Sequence, residues 1–230
     1  MRRSSSPAPA PVPFSRQAAR AHRAGLGLTP EQVAEAMAAH GVRLLPAHVL
    51  GWESGEIRPG ETELIALARA LWCPVAQLMG VRPTSLRDFR LARELSRDQA
   101  AARIGVGART YADAELTGRW TGDADETRAL AETLGLTLRD LVRITGAEEE
   151  LEQCLRQCVA GRWQPQLKPV ARLVPAPREA LAGVLAALQA EHRVPSHWGG
   201  TAPEEPRPPA APVDHRFWAL LATAAPDLPV

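Results

Sequence analysis

A chain of 230 residues and 24.8 kDa, with 45% apolar residues, 23% charged residues and a net charge of +1, has globular proportions, enough for one large domain or two small ones. No apolar run approaches the roughly 18 uncharged residues of a spanning helix, and the opening MRRSSSPAPAPVP is broken by prolines where a signal peptide requires an apolar core. A cytoplasmic location without a membrane partner is therefore expected. Cys73, Cys154 and Cys158 are too few for a disulfide framework and fit no CxxC zinc spacing, so neither metal nor other cofactor is expected.

Composition points to helix. The chain holds 41 alanines and 28 leucines, few β-branched residues and only 4% aromatics, which predicts an all-α protein. Of the 27 basic residues all but Lys168 are arginine. GC-rich coding alone explains such a bias, yet arginine is also the better fork for phosphate and guanine.

Residues 1–13 read as a disordered proline-rich leader. The first predicted helix covers 14–25, and a second follows Thr29 as N-cap with Pro30 at its first position. Pro46 opens a third, which ends at Gly55. A fourth over 61–72 carries Leu64, Ile65, Ala68 and Leu71 at helical spacing, and a short fifth over 75–79 ends at Gly80. The pattern then recurs with helices near 86–94, 97–104, 108–116, 125–134 and 138–144. A shift of 67 aligns Arg23 with Arg90, Leu28 with Leu95, Thr29 with Ser96, Gln32 with Gln99, Ala34 with Ala101 and Met37 with Ile104. Past residue 50 the shift falls to 62 or 63, aligning Glu53 with Glu115, Gly55 with Gly118 and Leu71 with Leu134. Two tandem five-helix domains, 14–80 and 86–146, are therefore expected.

Beyond them, 147–230 reads as a helical, proline-rich extension. A helix over 148–160 aligns Leu151, Cys154, Leu155, Cys158 and Val159 in one apolar stripe, with three glutamates at its N-terminus. The two cysteines read as small core residues, with a redox pair or metal site as the alternative. Residues 163–174 are expected to form an extended arm, because prolines interrupt them. A second amphipathic helix covers 178–192 through Leu181, Val184, Leu185 and Leu188. After a disordered spacer over 199–213, an apolar patch from His215 to Leu221 contains Phe217 and Trp218. Such a patch needs a place to bury itself, on its own chain or on a second copy, and a homodimer contact is the preferred reading.

The repeated residues carry a family resemblance. An arginine in the first helix, Leu-Thr or Leu-Ser at 28–29 and 95–96, Gln32 and Gln99, Ala34 and Ala101, a glutamate in the third helix and an Ala-Leu-Ala fourth helix together resemble the helix-turn-helix of phage-repressor and Cro-type (XRE-like) regulators. The tandem arrangement with a proline-rich tail is also similar to regulators common in actinobacteria. The resemblance implies a sequence-specific transcriptional regulator that binds double-stranded DNA, whose third helix enters the major groove. It implies phosphate contacts from Gln32 and Gln99, and structural ion pairs joining Arg23 to Glu53 and Arg90 to Glu115.

The third helices differ between copies. In the second, Gly107, Ala108, Arg109, Thr110, Ala112 and Asp113 take exposed positions, while Val106, Tyr111 and Ala114 turn inward. Arg109 suits guanine, and Thr110 suits a thymine methyl or a phosphate. In the first, Leu45, Pro46, Ala47, His48, Leu50 and Gly51 take the matching positions, with Val49 and Trp52 inward, and only His48 can hydrogen-bond a base edge. Two readings of this copy stand: DNA contact through Arg43, Arg58 and backbone, or a protein-contact module. For the whole chain the alternative is a protein-interaction adaptor on helix-turn-helix folds without DNA binding. Near-balanced charge argues against tight nonspecific binding by a monomer and favours a dimer on two half-sites. An enzyme is not expected. No phosphate-binding glycine loop or nucleophile triad is present, and His22, His40, His48, His192, His197 and His215 fall in no ligand spacing, with His192 and His197 reading as solvated.

Overall fold

The computed structural model describes residues 11–192 and 212–230, and the fold is all-α, with no strand among the described residues. Its helices are α1 (Arg16–Gly25), α2 (Pro30–Ala39), α3 (Pro46–Ser54), α4 (Glu61–Ala70), α5 (Val75–Met79), α6 (Leu86–Ala92), α7 (Arg97–Ile104), α8 (Ala108–Thr117), α9 (Ala124–Leu134), α10 (Leu138–Ile144), α11 (Glu148–Ala160), α12 (Leu167–Leu173), α13 (Arg178–His192) and α14 (Val213–Ala224). The chain divides into two compact units, Met1–Ala100 and Ala101–Val230, so the division falls inside α7.

Local chemistry explains where the helices start and stop. Thr29 Oγ1 accepts from the Gln32 N–H at 3.3 Å while Gln32 Oε1 accepts from the Thr29 N–H at 2.8 Å, a reciprocal cap reinforced by Pro30. Ser96 and Gln99 make the same pair of bonds at 3.1 and 2.9 Å. Ser15, Ser85, Asp123 and Thr137 also cap their helices with side-chain oxygens.

The repeat is visible in backbone detail. Arg23 Nη1 donates to Leu28 O and Arg90 Nη1 to Leu95 O, both at 2.9 Å. Gly55 and Gly118, both left-handed, end α3 and α8 with N–H bonds to Gly51 O and Ala114 O. The turn after α1 uses Gly27 at φ 66°, and the matching turn after α6 uses Glu94 at φ 56°.

The first unit packs α1 to α5 around Val33, Met37, Val49, Trp52, Leu64, Leu67 and Leu78, all buried. The leader contributes to this core: Val12 is 5% exposed, Phe14 packs against the cluster, and the Ser15 N–H donates to Leu78 O at 2.7 Å. The disorder expected over 1–13 is therefore wrong for 11–13, because Val12 finds an apolar seat, while 1–10 lie outside the described residues.

In the second unit α11 to α14 enclose a core that also takes Leu138 and Val142 of α10. Cys154 and Cys158 sit in it, and burial pushes the Cys158 thiol up to about 11. The extended arm expected over 163–174 is instead a single 3-10 turn (Gln164–Gln166) running into α12. Pro165 and Pro169 fall in the opening positions of these two elements, where a missing N–H is harmless, and Val170 and Val174 are fully buried.

The patch near Phe217 is likewise corrected. Rather than awaiting a second copy, α14 folds back on its own unit, with Phe217 at 0% and Trp218 at 7% exposure. Their rings meet edge to face at 5.1 Å, the Arg139 guanidinium lies 5.6 Å from the Trp218 ring, and Arg216 forks onto Glu191 at 2.7 and 2.6 Å. Beyond α14, Pro229 O accepts the Leu138 N–H at 2.7 Å, tying the C-terminus to α10. The spacer expected at 199–213 lies outside the described residues up to 211, and Val213 already begins α14. His192 closes α13 half-buried, with Nδ1 2.9 Å from Leu188 O, rather than solvated, and His197 is outside the described residues.

Candidate nucleic-acid interface

Each unit presents a helix with one buried and one open face, and Gly51 of α3 is the position where the facing departs from the sequence pattern. On α8, Tyr111 and Ala114 are buried, and Ala108, Arg109, Thr110 and Asp113 are exposed. Ala112 is half-buried. Arg109 has no hydrogen bond or ion pair among the described residues, so its fork is available to a ligand. Gly107, the N-cap of α8, offers no side-chain acceptor, which leaves the first N–H groups of the helix for water or an anionic oxygen. Arg103 in the last turn of α7 and Arg119 just after α8 are exposed as well, and they add positive charge on both sides of α8 in sequence. Neither was singled out by the sequence pattern, although their positions flanking α8 along the chain were the available signal.

On α3, Val49 and Trp52 turn inward as expected, each 2% exposed. Gly51, expected on the open face, is buried instead, because Ile57 folds over it: a Cβ built there would meet the Ile57 side chain at 2.9 Å. The open face carries Leu45 at 67% and Leu50 at 51% exposure, with Ala47 and His48. The His48 Nδ1 lies 3.2 Å from Leu45 O, so its Nε2 is the edge left for a ligand. Arg43, in the turn before α3, and Arg58, after it, are exposed and have no polar partner among the described residues. The N-terminus of α3, like that of α8, has no side-chain cap, and Pro46 removes one of its donors.

Gln32 and Gln99 are exposed in the first turns of α2 and α7. Their Oε1 atoms are already engaged in capping, so each holds its Nε2 amide free as a donor at a helix N-terminus. The Glu31 carboxyl beside Gln32 is held below its usual range, chiefly by its own backbone N–H and then by Thr29, which shows that this N-terminus favours anions.

Two arginines at matching positions of the repeat, Arg23 and Arg90, hold carboxylates in the first unit. Arg23 grips Glu53 with two bonds of 2.6 and 2.7 Å while also binding Leu28 O, so it locks α1 to α3. The hydrogen bonds that Arg23 donates to Glu53 hold the Arg23 pKa above its usual value. Arg90, 1% exposed, reaches Glu61 of α4 at 2.8 Å, and Arg87 reaches the same carboxylate at 2.6 Å. The contact with Glu61 was not anticipated from the repeat. Glu115 stands half-buried on α8 in the second unit. Burial pushes the Glu61 carboxyl up, but Arg90 and Arg87 together outweigh it and hold it below the usual range.

No helix among the described residues is long and apolar enough to cross a membrane, and no group of three or more potential metal ligands occurs among them. Comparison of the chain with protein-family models, with curated proteins and with solved structures gives no match.

Proposed function

We propose that this chain is a sequence-specific, DNA-binding transcriptional regulator of the phage-repressor and Cro type, with α8 as its main reading helix. The observation that supports this reading most directly is the open face of α8, where unpaired Arg109 and Thr110 stand beside a helix N-terminus that lacks a side-chain cap. The capped glutamines at 32 and 99 and the Arg23–Glu53 lock fit the same reading: the former hold amide donors for phosphate, and the latter fixes α3 against α1. With 27 basic against 26 acidic side chains, nonspecific attraction is weak, so affinity rests on specific contacts and on paired copies.

The test is fluorescence anisotropy with the duplex upstream of the chain's own gene, followed by selection from a genomic fragment library. Arg109→Ala is expected to weaken binding by roughly 5- to 150-fold, the range for one bidentate base contact, and to relax preference at one base pair. Binding to no fragment above nonspecific background refutes the reading.

A second reading is favoured by one observation, the exposed Leu45 and Leu50 of α3, which are ill suited to base edges. On that reading the first unit contacts protein, and Leu50→Glu leaves DNA binding by the second unit unchanged.

A further inference from the structure

The turn after α4 holds a conformational anomaly. Trp72 has φ +52°, in the left-handed region where a bulky side chain is an outlier, and its residue is 89% exposed. The corresponding turn after α9 is built from the same backbone bonds. The Trp72 N–H donates to Arg69 O and the Cys73 N–H to Ala68 O, as the Gly135 N–H donates to Glu132 O and the Leu136 N–H to Ala131 O. There the left-handed position is Gly135, at φ +63°. Glycine closes the same turn elsewhere in the chain, so the fold does not require tryptophan at 72. Trp72 combines an unfavourable backbone conformation with a ring left in water, the combination expected of a residue held for a contact outside the chain.

Beside the indole lies an open recess of about 350 Å³, lined by Ala18, Ala21, His22, Leu26 and Leu71 together with Trp72 itself, none of them a carboxylate. Leu26 is 48% exposed at its edge. The charge on the surrounding helix has one sign. Helix α1, which forms one wall, carries Arg16, Arg20, His22 and Arg23 and no acidic residue. Glu53 neutralises Arg23, and Glu94 neutralises Arg69 of α4 at 2.8 Å. Arg16 donates to the uncharged Ser54 O at 2.9 Å, and exposed Arg20 has no polar partner among the described residues. Two uncompensated positive charges therefore stand one turn apart on the helix that walls an apolar recess.

We propose that this face docks an acidic, amphipathic segment of a partner protein. An apolar side chain of the segment seats in the recess against Trp72, and its carboxylates face Arg16 and Arg20. Shape and chemistry favour a peptide over other anionic partners. A flat bilayer cannot enter a concave recess, and aliphatic walls give nucleic-acid bases little to pair with. The assignment stands apart from the DNA-reading one and is tested without duplex DNA. An indole of about 200 Å² falls well below the roughly 800 Å² per partner of a standard interface, so the contact is short-lived. Its dissociation constant is expected in roughly the tens to hundreds of micromolar.

The experiment selects a multivalent display library of random peptides, about 16 residues long, on the full wild-type chain, with the Trp72→Gly chain as counter-selection. Enriched peptides are expected to be acidic and to share an aromatic or leucine anchor. Labelled and titrated with the chain by fluorescence anisotropy, they should bind wild type in the stated range and more weakly as salt is added. Trp72→Gly, which copies the second repeat, should weaken binding at least about tenfold while its melting temperature stays equal or rises. Arg20→Glu, at an exposed position of α1, should weaken it at least about threefold without changing the melting temperature. Selected peptides without net negative charge overturn the proposal, as does a library that yields no Trp72-dependent binder. So do peptides that bind Arg20→Glu like wild type, or a Trp72→Gly chain that melts at a lower temperature because Trp72 holds the fold. Vesicles containing phosphatidylserine, or an oligothymidylate, that bind more tightly than the selected peptides and lose that binding in Trp72→Gly overturn it in favour of a lipid surface or a single-stranded nucleic acid.

Discussion

Truncating Trp218 to alanine tests whether α10 and the C-terminal helices form one cooperative body. The ring is 93% buried by its 7% exposure, in the cluster that holds Leu138 and Val142 of α10 together with Leu155 and Leu185. Removing about 200 Å² of aromatic surface at ~25 cal/mol per Å² costs about 4–5 kcal/mol, in line with ~3–5 kcal/mol for aromatic-to-alanine changes in cores. The edge-to-face contact with Phe217 is part of that loss. Arg139→Gln, which removes only the exposed cation over the ring, should cost about 0.5–1 kcal/mol. Urea unfolding followed by far-ultraviolet circular dichroism gives the stability change, and amide hydrogen exchange gives its location. Because Leu138 shares the core and its N–H is held by Pro229 O, protection in α10 should fall together with that in α11 and α13. If α10 keeps its protection while α14 exchanges freely, the shared core does not couple them and the reasoning fails.

Three further outcomes follow from the same geometry. Arg23→Met removes a bidentate pair and the bond to Leu28 O; since Arg23 is 17% and Glu53 9% exposed, the expected loss is about 2 kcal/mol, below the ~3–5 of a fully buried pair, read as a lower urea midpoint. Glu61, held below its ordinary value, contributes stability above the unfolded-state value of ~4.3 that is lost as pH falls through its lower folded value. Glu61→Gln should therefore flatten the acid limb of the stability profile, and an unchanged limb would count against the Arg87 and Arg90 contacts. Cys158 works in the opposite sense: its proton is held up to about 11 in the fold, so stability declines as pH rises above 9.0, and an aromatic disulfide reagent should label it only on unfolding, whereas rapid labelling of the native chain would contradict its burial.

The helix boundaries were legible because their causes are local. Thr29 before Pro30, Ser96 before Gln99 and the left-handed glycines at 55, 80, 118 and 135 act within one turn of chain, where a cap or a positive φ needs no distant partner. The segment over 163–174 misled for the converse reason. Its prolines read as breakers when counted without position, yet Leu167, Val170, Ala171 and Val174 carry a helical period that outranked them once the prolines fell in opening turns. In the candidate interface, periodicity sufficed to turn Arg109 and Thr110 outward, but not to show Ile57 closing over Gly51.

By itself the sequence determined the all-α class, the repeat and the facing of α8, because propensity, capping and a 3.6-residue period are properties of neighbours along the chain. Tertiary structure decided which charges meet, so that Arg90 finds Glu61, and where apolar groups go, so that Phe217 and Trp218 are enclosed within their own unit while Trp72 is left outside. Those outcomes depend on contacts between residues tens of positions apart, whose spacing in three dimensions no local pattern encodes.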